Sequence, residues 1–222
     1  APPTTTLTYS APSYLSGVLY VNSSTVFTII ASDPLTDVAA TYYKINEEWK
    51  TYTGAFNITA RADGNYTINY YSVDVVDNTE PEKSLATRLD NTPPSLAIES
   101  VEVTPSLTTS SITVSWSVSD SGSGVDHVEI RIDDAAFISV ENETSYTFSD
   151  LKDGAHTVYM RAVDNLGQVG AVDEEGTIVD EISSSIAVQS YWPYLIGGIV
   201  VLVIIIAAVA YVFARKRSPP TS

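Results

Sequence analysis

The 222-residue chain has no cysteine. Disulfides are excluded, so any folded part is held by core packing alone. Histidine is almost as scarce, with only His127 and His156. They fall at unrelated positions, so no Ser-His-Asp set can be assembled. Basic residues number 11 against 27 acidic ones, for a net charge of −16. Phosphate backbones are gripped by Lys and Arg, so nucleic acid is excluded as a partner. The Gly122-Ser123-Gly124 stretch has no Lys and no helix after it, so it is not a phosphate cradle. With neither nucleophile nor cofactor motif, the chain is expected not to be an enzyme and to carry no organic cofactor.

What is abundant is confined to one end. Tyr194 to Ala214 contains no charged residue, and Arg215, Lys216 and Arg217 follow at once. A helix rises ~1.5 Å per residue and a bilayer core is ~30 Å thick, so ~20 apolar residues span it. Tyr191, Trp192 and Tyr194 mark one edge and Tyr211 the other, where amphipathic rings favour the headgroup level. The run predicts a transmembrane helix over 193–214. The three basic residues act as its stop-transfer signal, followed by a cytoplasmic tail over 215–222. All 27 acidic residues precede this segment, with only eight basic ones. The expected location is the plasma membrane, single-pass, with the N-terminus outside and the lipid bilayer as partner. Gly197-Gly198 is not a Gly-x-x-x-Gly seam, so no helix dimer is predicted. Ala1 is neither an initiator Met nor the start of a signal peptide. It is expected to be a post-cleavage residue or the cut edge of a longer chain, with residues 1–6 as a linker.

The outer part is written twice. VFTIIASD (26–33) matches VSWSVSD (114–120). Val38 and Val125, Ile45 and Ile132, Asp63-Gly64 and Asp153-Gly154, and Asp74 and Asp164 recur at nearly equal spacings. The period is two: Ile112, Val114, Trp116 and Val118 alternate with Thr and Ser, the mark of a strand with one buried face. Short strands with Asp-Gly turns between them and no helical segment indicate a β-sandwich. The predicted fold class is all-β, two tandem sandwiches followed by one transmembrane α-helix. The expected boundaries are 7–91, 92–181 and a juxtamembrane spacer at 182–192. Pro93-Pro94 makes the joint between the copies short and stiff, keeping them end to end.

Asp90-Asn91-Thr92-Pro93-Pro94, Ser119 to Val125 and Asp153 to Asp164 resemble the immunoglobulin-like and fibronectin type III-like repeats of bacterial and archaeal surface proteins and secreted hydrolases. Tyr70 to Asp74 and Glu80 to Ser84 carry the same likeness in the first copy. The resemblance covers residues 7–181. It implies modules that serve as spacers, as carbohydrate or protein binders, or as adhesive stalks. The missing cysteines remove the inter-sheet bridge of antibody domains. Val75-Val76-Asp77 departs from the usual Gly-containing turn, so that loop is expected to differ between the copies.

Four groups of residues are candidates for chemistry. Asp33/Asp37 and Asp74/Asp77 should share one end of the first sandwich, and Asp120 and Asp164 the matching end of the second. Asp120 and Asp164, with Asp90 and Asn91, offer the oxygen ligands Ca²⁺ takes; the competing reading is that each Asp caps its own turn. Asn22, Asn57, Asn65 and Asn142 begin glycosylation sequons. Tyr43 and Tyr71 are expected to face outward, where they would line a surface for an extracellular glycan or protein. His156 aligns with Tyr66 at a sandwich corner, a structural position, and His127 reads as a solvated surface residue. The function expected is a membrane-anchored stalk, with an adhesive binding module, or the stalk of an enzyme whose catalytic domain lies upstream, as alternatives. The lack of disulfides and of a sortase-type motif, with an acidic ectodomain bearing sequons, points to an archaeal envelope.

Overall fold

The structure is a computed structural model and describes residues 1–105, 109–141, 143–172, 178–179, 181–188, 193–196, 199–202 and 211–215. The chain divides into two compact units, Ala1–Thr92 and Pro93–Ser222.

In unit 1 the period-two segments become β1 (Thr4–Tyr9), β2 (Ser13–Ser16), β3 (Val18–Val21), β4 (Phe27–Ser32), β5 (Val38–Ile45), β6 (Lys50–Thr51), β7 (Gly64–Asp74) and β8 (Lys83–Leu89). They form two sheets, β1-β4 and β2-β3-β8-β7-β5-β6. Neighbours pair antiparallel except β3 on β8, which run parallel. Leu19, Val21, Phe27, Ile58, Ile68 and Leu89 form the buried apolar core. Among the described residues no third strand accompanies β1 and β4. Phe56 instead exchanges two backbone hydrogen bonds with Phe27, and the Ile29 N–H donates to the Tyr52 hydroxyl at 3.2 Å. A side chain thus covers part of the edge a strand would otherwise fill, which blunts it against pairing with another chain.

Unit 2 contains β9 (Ser95–Pro105), β10 (Ser110–Ser119), β11 (Val125–Ile132), β12 (Ile138–Ser139), β13 (Ser145–Leu151), β14 (Gly154–Asp164), β15 (Val169–Val172), β16 (Ile178–Val179) and β17 (Glu181–Val188). One sheet is β13-β10-β9; the other is β12-β11-β14-β15-β16, with β17 also on β14. The alternation of Ile112, Val114 and Trp116 places all three in the core, against Val128, Ile130, Val158 and Met160. Gly64 and Gly154 hold φ of 152° and 147° at the matching Asp-Gly turns, where a side chain would be strained.

Three expectations are corrected. Residues 4–6 are not linker but the start of β1, and Thr5 is 1 % exposed. Its hydroxyl donates to Ser72 Oγ at 2.7 Å, so a polar partner, not an apolar face, buries it. Residues 182–188 are not spacer but most of β17, which pairs with β14 from Gly154↔Val188 to Met160↔Ile182. Serine masked the alternation of Ile182, Ser184, Ile186 and Val188. The turn at Val75-Val76-Asp77 keeps the shape of its counterpart. Asp77 adopts φ 63° where Gly167 adopts 77°, and the N–H of each donates to the carbonyl of Asp74 or Asp164.

The expected helix over 193–214 is not seen. Pro193–Ile196 (β18) pairs with Ile199–Leu202 (β19), and Tyr211–Arg215 (β20) pairs with β17. The other residues of that range, with Lys216 and Arg217, lie outside the described ones. Among the described residues no helix is long and apolar enough to cross a membrane. Val and Ile dominate the run, and β-branched residues favour extended backbone wherever lipid does not require every N–H and C=O to be satisfied within one segment.

Candidate functional sites

At one end of unit 1, the β4–β5 and β7–β8 connections meet. Asp33 Oδ1 accepts from the Leu35 and Thr36 N–H groups, at 2.8 and 2.9 Å. Asp74 Oδ1 accepts from Val76 and Asn78 N–H, and its Oδ2 from the Asn78 amide and the Thr36 hydroxyl. Burial alone would raise the Asp74 pKa; the Asn78 side chain and N–H, Thr36 and Val76 outweigh it and hold it at about 2. Hydrogen bonds from the Leu35 and Thr36 N–H groups lower Asp33 as well. Each Asp therefore caps its turn.

Unit 2 repeats this end. Asp120 Oδ1 accepts from Gly122 and Gly124 N–H, at 2.8 and 2.7 Å. Asp164 accepts from Leu166 and Gln168 N–H on Oδ1, and from the Gln168 amide on Oδ2. The structure brings these two together, with a carboxylate oxygen of each within 4.8 Å of the other. Asp120 Oδ2 is buried without a hydrogen-bond partner. A divalent cation would relieve that orphaned oxygen and the mutual repulsion, and the donor set is the hard-oxygen type Ca²⁺ takes. Asp90 and Asn91 belong to unit 1. Asp90 Oδ1 accepts from Thr92 N–H. Asn91 Oδ1 accepts from Ser23 N–H, and the Asn91 amide donates to Asp63.

Of the sequon asparagines, Asn57 and Asn65 are exposed, while Asn22 is half-buried with its Oδ1 accepting from Ser24 N–H. Asn142 lies outside the described residues. The side chains of Arg215, Lys216 and Arg217 lie outside them too.

The histidines occupy the places their alignment implies. His127 faces outward, 2.7 Å from Asp126 and 3.7 Å from Glu129. His156 Nε2 lies 2.9 Å from the Lys152 carbonyl, four residues back. Tyr66 Oη donates to the Ala62 carbonyl over the same separation, at 2.8 Å. His156 Nδ1 lies 2.7 Å from Asp133 Oδ2. Both partners are acceptors, so the ring satisfies both only as the imidazolium. Burial opposes that charge, but the Lys152 carbonyl and the Asp133 hydrogen bond and charge outweigh it and raise the His156 pKa.

Between the sheets of unit 1 runs a polar network the sequence did not signal. Glu80 Oε2 accepts from Lys83 Nζ at 2.8 Å and from Thr5 N–H at 3.2 Å, and its Oε1 from Ser72 N–H at 2.9 Å. Ser72, Thr5 and Thr41 share hydroxyl hydrogen bonds of 2.7 Å. Burial would raise Glu80, and the Lys83 ammonium and Thr5 lower it on balance.

The aromatic residues sort by register. Tyr42 and Tyr71 are cross-strand partners on the outer face of β5 and β7, with ring centroids 5.2 Å apart. Trp49 stands edge-on to Tyr71 at 4.7 Å. Tyr43, expected outward, turns to the core side with Ile45 and stacks on Phe56 at 4.1 Å. The β-bulge between Val38 and Ala40 sets this phase, as its counterpart between Val125 and His127 does in unit 2, and the repeat carried the signal: Ile45 matches Ile132, which puts Tyr43 level with the buried Ile130.

Each unit is an open β-sandwich of the Ig-like/fibronectin III-like kind. Residues 94–160 match the family described as Bacterial Ig domain. Solved structures resemble the chain at low identity. The fibronectin(III)-like modules of CbhA from Clostridium thermocellum are 15% identical, covering 83% of this chain and 95% of that one, with a TM-score of 0.49. The FN1-FN3 domains of chicken CNTN1 are 16% identical, covering 67% and 60%, with a TM-score of 0.39. A tetra-tandem repeat from the extending region of a large adhesion protein is 18% identical, covering 75% and 47%, with a TM-score of 0.27. No curated protein matches the chain.

Proposed function

We propose that the chain is a membrane-anchored cell-surface stalk that carries two Ig-like modules outside the cell. The observation that carries this reading is the charge-free run from Tyr194 to Ala214, closed by Arg215, Lys216 and Arg217, with every acidic residue before it. In a bilayer, open sheet edges are excluded and the run takes up a helix, because each backbone group must then be satisfied within the segment. Small modules without disulfides, catalytic histidines or a cofactor motif suit a mechanical role. Fractionation tests the anchor. The full chain should sediment with membranes and resist alkaline extraction, and a chain ending at Ser190 should be released. Equal release of both would overturn the reading.

We further propose Ca²⁺ as a stiffening ion at Asp120 and Asp164. Millimolar Ca²⁺, the range of extracellular modules, should raise the unit 2 melting transition, and Asp120→Asn should abolish the rise. A transition unmoved by Ca²⁺ and by chelator would remove this role. Exposed Asn57 and Asn65 are the sequons proposed to carry glycans; their unmodified mass in the native protein would exclude it.

A further inference from the structure

The outer faces of the two units differ in a way that the stalk reading does not require. In unit 2, cations fill the ring faces. The Arg131 guanidinium lies 3.8 Å from the Tyr159 ring centroid, and Arg131 and Arg161 lie 5.0 and 4.3 Å from that of Phe137. Arg161 is in turn paired with Glu129. The aromatic surface there is consumed within the fold.

On the equivalent face of unit 1 a lysine covers only Trp49, and among the described residues no cation lies over Tyr42 or Tyr71. Tyr42 and Tyr71 line a groove of ≈ 400 Å³ together with Val73, Thr79, Glu80 and Glu82. That volume falls within the ~300–1,000 Å³ range of small-ligand sites. Trp49 extends the aromatic surface and is 38 % exposed. Polar groups edge the groove in fixed positions. Glu82 Oε1 accepts from the Asn69 amide at 2.6 Å and lies 3.5 Å from Lys44 Nζ, which sits 4.4 Å over the Trp49 ring. Glu82 is held from one side and retains Oε2 as an acceptor. Thr79 adds a hydroxyl that donates or accepts.

We propose that this groove binds a neutral carbohydrate. A sugar ring presents C–H groups on its faces and hydroxyls around its rim. The faces match Tyr42 and Tyr71, and the rim matches Glu82 and Thr79. The charge around the groove selects against acidic sugars. Glu80 and Glu82 line it, the lysines beside it (Lys83 and Lys44) are already paired with them, and the chain carries −16 overall. The proposal stands independently of the membrane anchor, since it needs only unit 1.

The test is titration of the full chain with cellohexaose, xylohexaose, chitohexaose, mannohexaose and, as the acidic control, hexagalacturonate, read by calorimetry and by tryptophan emission. At least one neutral oligosaccharide should bind and hexagalacturonate should not. Tyr71→Ala should weaken binding about tenfold or more, the scale of one lost ring contact. Tyr42→Ala should do the same, and Glu82→Gln should weaken it less. Phe137→Ala, on the matching face of unit 2, should leave affinity unchanged. Trp49→Phe should remove most of the emission change and keep the heat of binding. Failure of every neutral probe, tighter binding of the acidic control, or full affinity in Tyr71→Ala with unit 1 still folded by its melting transition would each overturn the proposal.

Discussion

The corners of the two modules perform one backbone task with different chemistry. In unit 1 Asn46 takes a left-handed φ of 60°, accepts from Thr67 N–H on Oδ1 at 2.7 Å, and stands near Tyr66, whose hydroxyl reaches back four residues. In unit 2 Asp133 takes φ 49°, accepts from Thr157 N–H at 2.8 Å, and also holds His156, which reaches back the same distance. Asn has become Asp and Tyr has become His with the backbone preserved. A neutral corner and an ionic one fold alike, so the scaffold specifies where hydrogen bonds end and leaves open what charge they carry. The same holds for the interiors: unit 2 closes its centre with Met160, whereas unit 1 admits Glu80 between its sheets, paired with the partly exposed Lys83.

Those interiors give the largest expected effects. Met160→Ala empties a fully buried site, and unit 2 should lose about 2–5 kcal/mol by calorimetry while the unit 1 transition stays in place. Glu80→Ala should act on unit 1 alone. It strands the Thr5 and Ser72 N–H groups and removes the Lys83 partner, at about 2–3 kcal/mol. A concerted shift of both transitions in either variant would show that the modules do not melt as separate units.

The corners should separate by pH. Because the His156 pKa is raised on folding, its contribution to unit 2 is complete below the unfolded value of ~6.5 and is lost as pH rises through the folded value. The unit 2 melting temperature should fall over that interval, and His156→Gln should flatten the dependence. At the acid end the signs reverse. Asp33, Asp74 and Glu80 are lowered on folding, so their contribution to unit 1 is present above about pH 4–4.5 and is lost as pH falls through the folded values, about 2 for Asp74.

The smallest effect belongs to the turns. Asp77 holds the left-handed position that Gly167 holds in unit 2. Asp77→Gly should relieve strain and stabilise unit 1 by up to about 1 kcal/mol, provided the gain exceeds the extra chain entropy of glycine. Gly167→Ala should destabilise unit 2, and thermal melts of the two variants together check the pair.

Much of this was legible in the residues. The internal repeat placed equivalent strands, and the spacing from Asp63 and Asp153 put Tyr66 and His156 at matching corners. Both sets of paired Asp loops were visible at the sandwich ends. What stayed hidden was polar or serine-rich. Thr5 has no apolar signature because its burial is satisfied by Ser72, and three of the eight residues of β17 are serine, with Ile186 buried inside it. Tyr43 was placed outward although the repeat sets it level with the buried Ile130, because an aromatic pair alone does not say which ring points in. The groove of unit 1 depends on Glu82 and Asn69 meeting across β7 and the connection into β8, a contact fixed by register rather than by spacing in the chain.

The central proposal is that residues 193–214 enter lipid as a single helix, following two modules whose described residues form strands and no helix. Far-UV circular dichroism of the full chain, with and without phospholipid vesicles, tests it most directly. The account predicts that vesicles add the signal of ~20 helical residues to an unchanged β spectrum. A spectrum identical in both conditions, from a chain that remains monodisperse in plain buffer, would contradict it.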